Sequence, residues 1–81
     1  MTRAEFEVIM DATINAAPDQ RAALSSCLEL VARAVRDGFV MQLDVMWREG
    51  LPPIIAVGML PARGDALAEG HPMFVREMPR G

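Results

Sequence analysis

Gly38 separates two stretches of sequence whose apolar residues repeat with different periods, and this change constrains the fold more than any other feature. Before it, apolar residues recur every three or four positions, the spacing of one helical face; after it they alternate, the spacing of a strand with one face buried. A chain of 81 residues that carries each pattern has material for a single core, because so small a body cannot enclose two. The expectation is one α+β domain spanning 1–81, in which a helical hairpin packs on a small two- to three-stranded antiparallel sheet.

The first helix is signalled by Thr2-Arg3-Ala4-Glu5, the spacing of a capping box, in which hydroxyl and carboxylate satisfy each other's backbone amides. Phe6, Ile9, Met10, Thr13, Ile14 and Ala17 then fall on one helical face, with Glu7, Asp11 and Asn15 away from it. The β-branched pair Val8 and Ile9 leaves a strand through Phe6, Val8 and Met10 as the alternative over residues 4–10. A second helix is expected over residues 18–37, with Pro18 in its first turn and Gly38 as the left-handed cap beyond its end. Its main stripe reads Leu24, Cys27, Leu28, Val31, Ala34 and Val35, widened by Ala23 and Leu30. Glu29 and Arg33 are spaced as an i, i+4 pair, and Arg36 extends that polar face.

Past Gly38, Phe39, Met41, Leu43, Val45 and Trp47 alternate with Val40, Gln42, Asp44, Met46 and Arg48. Glu49 to Pro53 should break the ladder, since neither Pro52 nor Pro53 can donate a backbone hydrogen bond. Ile54 to Leu60 then reads as a strand returning antiparallel to the first. Residues 62–72 read as a loop, in which Asp65 to Glu69 could make one helical turn, and Met73 to Met78 offers a third strand before Pro79-Arg80-Gly81 frays. There is no internal repeat.

Composition excludes several classes. The apolar run Ile54 to Leu60 is far short of the roughly 18–20 residues that span a bilayer, so no membrane association is expected. Carboxylates at positions 5, 7 and 11 break the order of a secretion signal, and the single Cys27 cannot form an internal disulfide, so a cytoplasmic location is the expectation. Eight Arg, no Lys and eleven acids mixed along the chain give a net charge of −3 and no basic run, which disfavours direct contact with nucleic acid.

Candidate chemistry is sparse. Cys27 sits on an apolar stripe, where a thiol is more often a small hydrophobe than a nucleophile. His71 is the only imidazole, and one His with one Cys supplies too few ligands for zinc; no metal and no cofactor is expected. Ser25 and Ser26 fall inside a helix without the Gly-x-Ser-x-Gly elbow, Gly58, Gly64 and Gly70 are too scattered for a phosphate loop, and paired acids such as Asp65 with Glu69 lie on exposed segments. Arg63-Gly64-Asp65 spells an adhesion tripeptide without a secretion signal to give it meaning. No catalytic residue is assigned.

What remains points to association. Seven Met and a 52% hydrophobic composition exceed what so small a body hides. Val40 and Met46 flank Gln42 and Asp44 on a strand face that would be polar if it met only solvent. Trp47 and Arg48 are the residue types that dominate binding hot spots, although Trp47 could equally join Phe39 and Leu43 in the core. Arg33 and Arg36 complete the candidate partner-binding set of Val40, Gln42, Asp44, Met46, Trp47, Arg48, Arg33 and Arg36. Size, lack of catalytic groups and apolar surplus resemble small phage-encoded inhibitors of bacterial defence, including anti-CRISPR proteins, although no motif carries the resemblance. It implies a non-enzymatic protein that binds another protein or complex and blocks it by steric occupation, with a homodimer as one possible state. The alternative is a small transcriptional regulator that binds DNA as a dimer through a helical hairpin and a β wing.

Overall fold

The computed structural model describes residues 1–61 and 73–79. Expectations that fall on 62–72, including His71, the Arg63-Gly64-Asp65 tripeptide and the Asp65 to Glu69 turn, lie outside the described residues, as do Arg80 and Gly81.

Helix α1 runs Arg3–Ala16 and begins with the capping box: the Thr2 hydroxyl accepts from the Glu5 amide at 3.1 Å, and Glu5 Oε1 accepts from the Thr2 amide at 3.3 Å. Two satisfied amides fix the helical phase, and Phe6, Met10 and Ile14 turn inward while Val8 stays exposed. A strand would have put Phe6 and Val8 on one face, so the strand alternative is set aside. Helix α2 runs Gln20–Arg36, two residues shorter at its start than the spacing predicts. Asp19 takes the N-cap, its carboxylate accepting from the Ala22 amide at 2.8 Å, and Pro18 precedes it in the connection. Gly38 follows the helix with φ of +96°, a conformation only glycine adopts without strain.

The sheet has strand order β1-β2-β3, with β1 at Phe39–Arg48, β2 at Leu51–Pro61 and β3 at Met73–Glu77, all antiparallel neighbours. The fold class is the expected one: two helices on one face of a three-stranded antiparallel sheet. Pro52 and Pro53 stand inside β2 and do not break it. The hairpin turn is Glu49-Gly50 alone, with Gly50 at φ of +72°, and Arg48 already faces Leu51. Between the pairs Met46–Ile54 and Arg48–Leu51, β2 carries one residue more than β1, so the two prolines form a bulge opposite Trp47. This is how a sheet accommodates residues that cannot donate to the ladder.

The core lies between the helices and the inner sheet face. Phe6, Met10 and Ile14 of α1, Ala23, Cys27, Leu30 and Ala34 of α2, Ile55, Val57 and Met59 of β2, Phe74 of β3 and Met78 form one cluster. Phe6 meets Phe74 edge-on, ring centroids 5.7 Å apart. Next to them Arg76 reaches from β3 to α1, its Nε 2.6 Å from Asp11 Oδ1 and its Nη2 3.3 Å from Oδ2, and its guanidinium lies 5.5 Å from the Phe74 ring centroid. That hydrogen bond raises the Arg76 pKa further. Helix α1 is thereby held over β3, and α2 packs over β1.

The inner stripe of α2 corrects the sequence reading. Leu28 and Val35 do not enter the core; they are 49% and 53% exposed. Ala23, Cys27, Leu30 and Ala34 face inward instead, and the small side chains among them let the helix backbone approach its neighbours closely. Leu24 and Val31 pack at the margin.

Candidate functional site

Val40, Gln42, Asp44 and Met46 all project from the sheet face opposite the helices and are exposed. Their cross-strand neighbours extend this outer face in rows: Val40 faces Leu60, Gln42 faces Gly58 and then Met73, Asp44 faces Ala56 and then Val75, and Met46 faces Ile54 and then Glu77. Val40, Met46 and Val75 are between 41% and 48% exposed. In the middle of the face Ala56 and Gly58 are buried, as is Leu60 beside Val40, so exposure on this face falls mainly on β1 and on Val75. On β1 the polar pair is linked, Gln42 Nε2 donating to Asp44 Oδ2 at 3.3 Å. Val75 is not in the sequence-derived set and reaches this face because β3 pairs beside β2.

Trp47 is 70% exposed, so the expectation that it might join the core does not hold. The indole lies by Gln20, Arg21, Leu24 and Met78, which line a cavity of about 360 Å³ with it. Arg48 is committed within the fold. Its guanidinium donates from Nε and Nη2 to the Pro52 carbonyl and from Nη2 to Glu77 Oε2 at 2.9 Å, tying the ends of all three strands together. It therefore closes the bulge while about 30% of its side chain stays exposed.

Arg33 and Arg36 are brought to a different place. With Ala22, Ser26 and Glu29 they form the flank of α2 that looks across to Ile9 and Thr13 of α1 and its C-cap Ala17, and the groove between the helices encloses about 630 Å³. Among the described residues no ion pair joins Glu29 to Arg33. The sequence-derived set is thus split into an outer sheet face (Val40, Gln42, Asp44, Met46), a strand end (Trp47, Arg48) and a helix groove (Arg33, Arg36).

The described residues hold no group of three or more His, Cys, Asp or Glu placed to share a metal ion. Cys27 is 1% exposed, and burial pushes its thiol pKa up, which disfavours the nucleophilic thiolate. No helix among the described residues is long and apolar enough to cross a membrane.

Comparison of the chain with protein-family models, with curated proteins and with solved structures returned no match.

Proposed function

We propose that this protein is a non-enzymatic binding module that acts by covering part of another protein, in the manner of the small phage-encoded inhibitors of bacterial defence that it resembles in size and composition. The observation that carries the reading is the outer sheet face, where three large apolar side chains, Val40, Met46 and Val75, stand exposed around the buried Ala56 and Leu60. Single exposed apolar residues are ordinary on any protein; a set spread over two strands of one face marks a surface that meets something else. Asp44 and Gln42 sit among them and add one carboxylate and one amide, which select a partner surface that is apolar and bordered by hydrogen-bond donors or a cation. Steric occupation requires no catalytic group; Cys27 is buried in the core, Ser25 is exposed and Ser26 lines the groove between the helices.

The test is a plaque assay in bacteria with an active CRISPR defence, comparing cells that express the protein with cells that do not. Expression should restore plating of a targeted phage, and Met46→Asp with Val75→Asp should abolish this while the far-ultraviolet circular dichroism is unchanged. Full protection by the folded double variant would overturn the role of the outer face. Failure of the wild type to protect would overturn the inhibitor reading, and retardation of DNA by the wild type at low salt would replace it with the DNA-binding alternative.

A further inference from the structure

The rim of the molecule at β1 is unfinished in two layers at once. In the sheet layer, β1 is a ten-residue edge strand, and among the described residues nothing pairs with its outer side. A strand of this length and regularity with apolar side chains on both faces is a template for pairing, which proteins ordinarily blunt with charge, proline or cover. Here only Asp44 is charged along Phe39 to Trp47, and the inner-face residues Met41, Leu43 and Val45 are left half-buried because the helices do not reach past them. In the helix layer, the flank of α2 facing α1 carries Ser26; Val35 lies nine residues on, about 180° around the helix, and Leu28 lies close to it. Because α2 packs over β1 and α1 packs beside α2 over β3, the flank bearing Leu28 and Val35 overlooks the free edge of β1.

We infer that the occupant of this rim is a second copy of the same chain, with the two β1 strands paired antiparallel about a dyad at Leu43 and the two α2 helices meeting along Leu28 and Val35. The residues of β1 themselves select the register. Side chains of paired strands must share a face, so a two-fold axis has to pass through a residue, setting it opposite itself. An axis at Asp44 would put two carboxylates directly opposite, and an axis at Gln42 would put each Asp44 on a Val40; like charges opposed are destabilising. An axis at Leu43 sets Gln42 against the partner's Asp44 twice, Val40 against the partner's Met46 twice, and Phe39 against the partner's Trp47 twice. Every polar residue meets a polar one, every apolar residue an apolar one, and nine of the ten residues from Phe39 to Arg48 are used.

The helix layer agrees with the same axis. Leu43 lies about 13 Å along the strand from Phe39 at about 3.3 Å per residue. The same distance back along α2 from Arg36, at 1.5 Å per residue, spans about eight or nine residues and reaches Leu28. One dyad therefore brings Leu43 and Leu28 to their own copies together. A rim about 33 Å long and about 20 Å high, the thickness of a sheet with a helix on it, offers roughly 660 Å² per protomer, within the range of stable interfaces. The result is a six-stranded sheet with four helices on one side, whose outer faces join into a surface twice as long. This pairing engages the outward-facing residues of β1 along with the rim, and leaves Val75 of β3 outside it.

The experiment combines light scattering with cross-linking. Wild-type protein at tens of micromolar should scatter as a dimer. Leu28→Arg should raise the dimer dissociation constant roughly tenfold or more, since it places two cations together at the dyad, with circular dichroism unchanged because Leu28 is exposed in the monomer. For the register, Gln42→Cys and Asp44→Cys proteins mixed under mild oxidation should form the mixed disulfide in preference to either homodimer, because directly opposed β-carbons are about 4.5–5.5 Å apart and diagonal ones about 7–8 Å. A monomer at these concentrations overturns the inference. So does a dimer that survives Leu28→Arg, one broken instead by Val75→Asp on the outer face, or a pair of cysteine variants that cross-link no better mixed than alone.

Discussion

Replacement of Phe6 by Ala tests the packing that holds α1 on the sheet. Phe6 is fully buried and its ring meets Phe74 edge-on at 5.7 Å. Truncating a buried Phe to Ala costs about 3–5 kcal/mol, of which the aromatic pairing contributes about 0.5–1.5 kcal/mol. A chain of this size has roughly 4–12 kcal/mol of total stability, so the variant should lose about a quarter or more of it. Urea unfolding followed by circular dichroism at 222 nm is the assay, at one fixed protein concentration so that self-association contributes equally to every sample. With a slope near 1 kcal/mol/M the midpoint should fall by about 3 M or more, or the variant should be unfolded without urea. Val8→Ala, on the same helix but 69% exposed, should change stability by less than about 0.5 kcal/mol. This contrast refutes or sustains the helical phase, because residues 6 and 8 share a face in a strand and differ by about 200° in a helix. A loss at Phe6 below about 1.5 kcal/mol, or comparable losses at both positions, would overturn the account.

Burial of Cys27 predicts that iodoacetamide labels the native protein only as fast as it opens, and labels the urea-unfolded chain readily; fast labelling of the native state would contradict this. Since the folded thiol has its pKa raised above the ordinary value of 9.0, the unfolded chain releases a proton first, so stability should fall as pH rises from that value to the folded one, and Cys27→Ala should remove this dependence. Asp11→Asn removes the ionic contact with Arg76, and because both side chains are about 40% exposed the loss should be only about 0.2–1 kcal/mol and shrink in 0.5 M salt; a salt-independent loss would show that packing of Arg76 on Phe74 dominates. Gly50→Ala should cost about 1–2 kcal/mol from its φ of +72° with no steric clash, and Gly50→Asn should cost less; equal losses would point to crowding instead.

The elements themselves were legible because local chemistry encodes them. Thr2 and Glu5 marked the start of α1, Gly38 the end of α2, and the alternation from Phe39 marked β1. Reading failed where a residue answers to a neighbour that is distant in sequence. Pro52 and Pro53 are breakers by their own chemistry, yet the ladder from Ile54 to Leu60 pairs so fully with β1 that a one-residue bulge absorbs them. Leu28 and Val35 looked like core because they are large and periodic, whereas close approach of α2 to its neighbours selects Ala23 and Ala34 at the contact. The internal partners of Arg48 were not readable, because neither Glu77 nor the Pro52 carbonyl can be matched to it by spacing. Of the candidate surface, the outward-facing residues of β1 were readable from alternation alone; Val75 joins them only because β3 lies beside β2.

By itself the sequence determined the start of α1, the end of α2 at Gly38, the change from helical to strand period, and which face of β1 carries Gln42 and Asp44, since these follow from bonds and sterics within a few residues. Only the tertiary structure decided that β1 is an edge, that α2 turns Leu28 and Val35 outward above it, and that Trp47 stands clear of the core. Those properties depend on which surfaces remain once the layers have packed, and no local pattern records what a fold leaves uncovered.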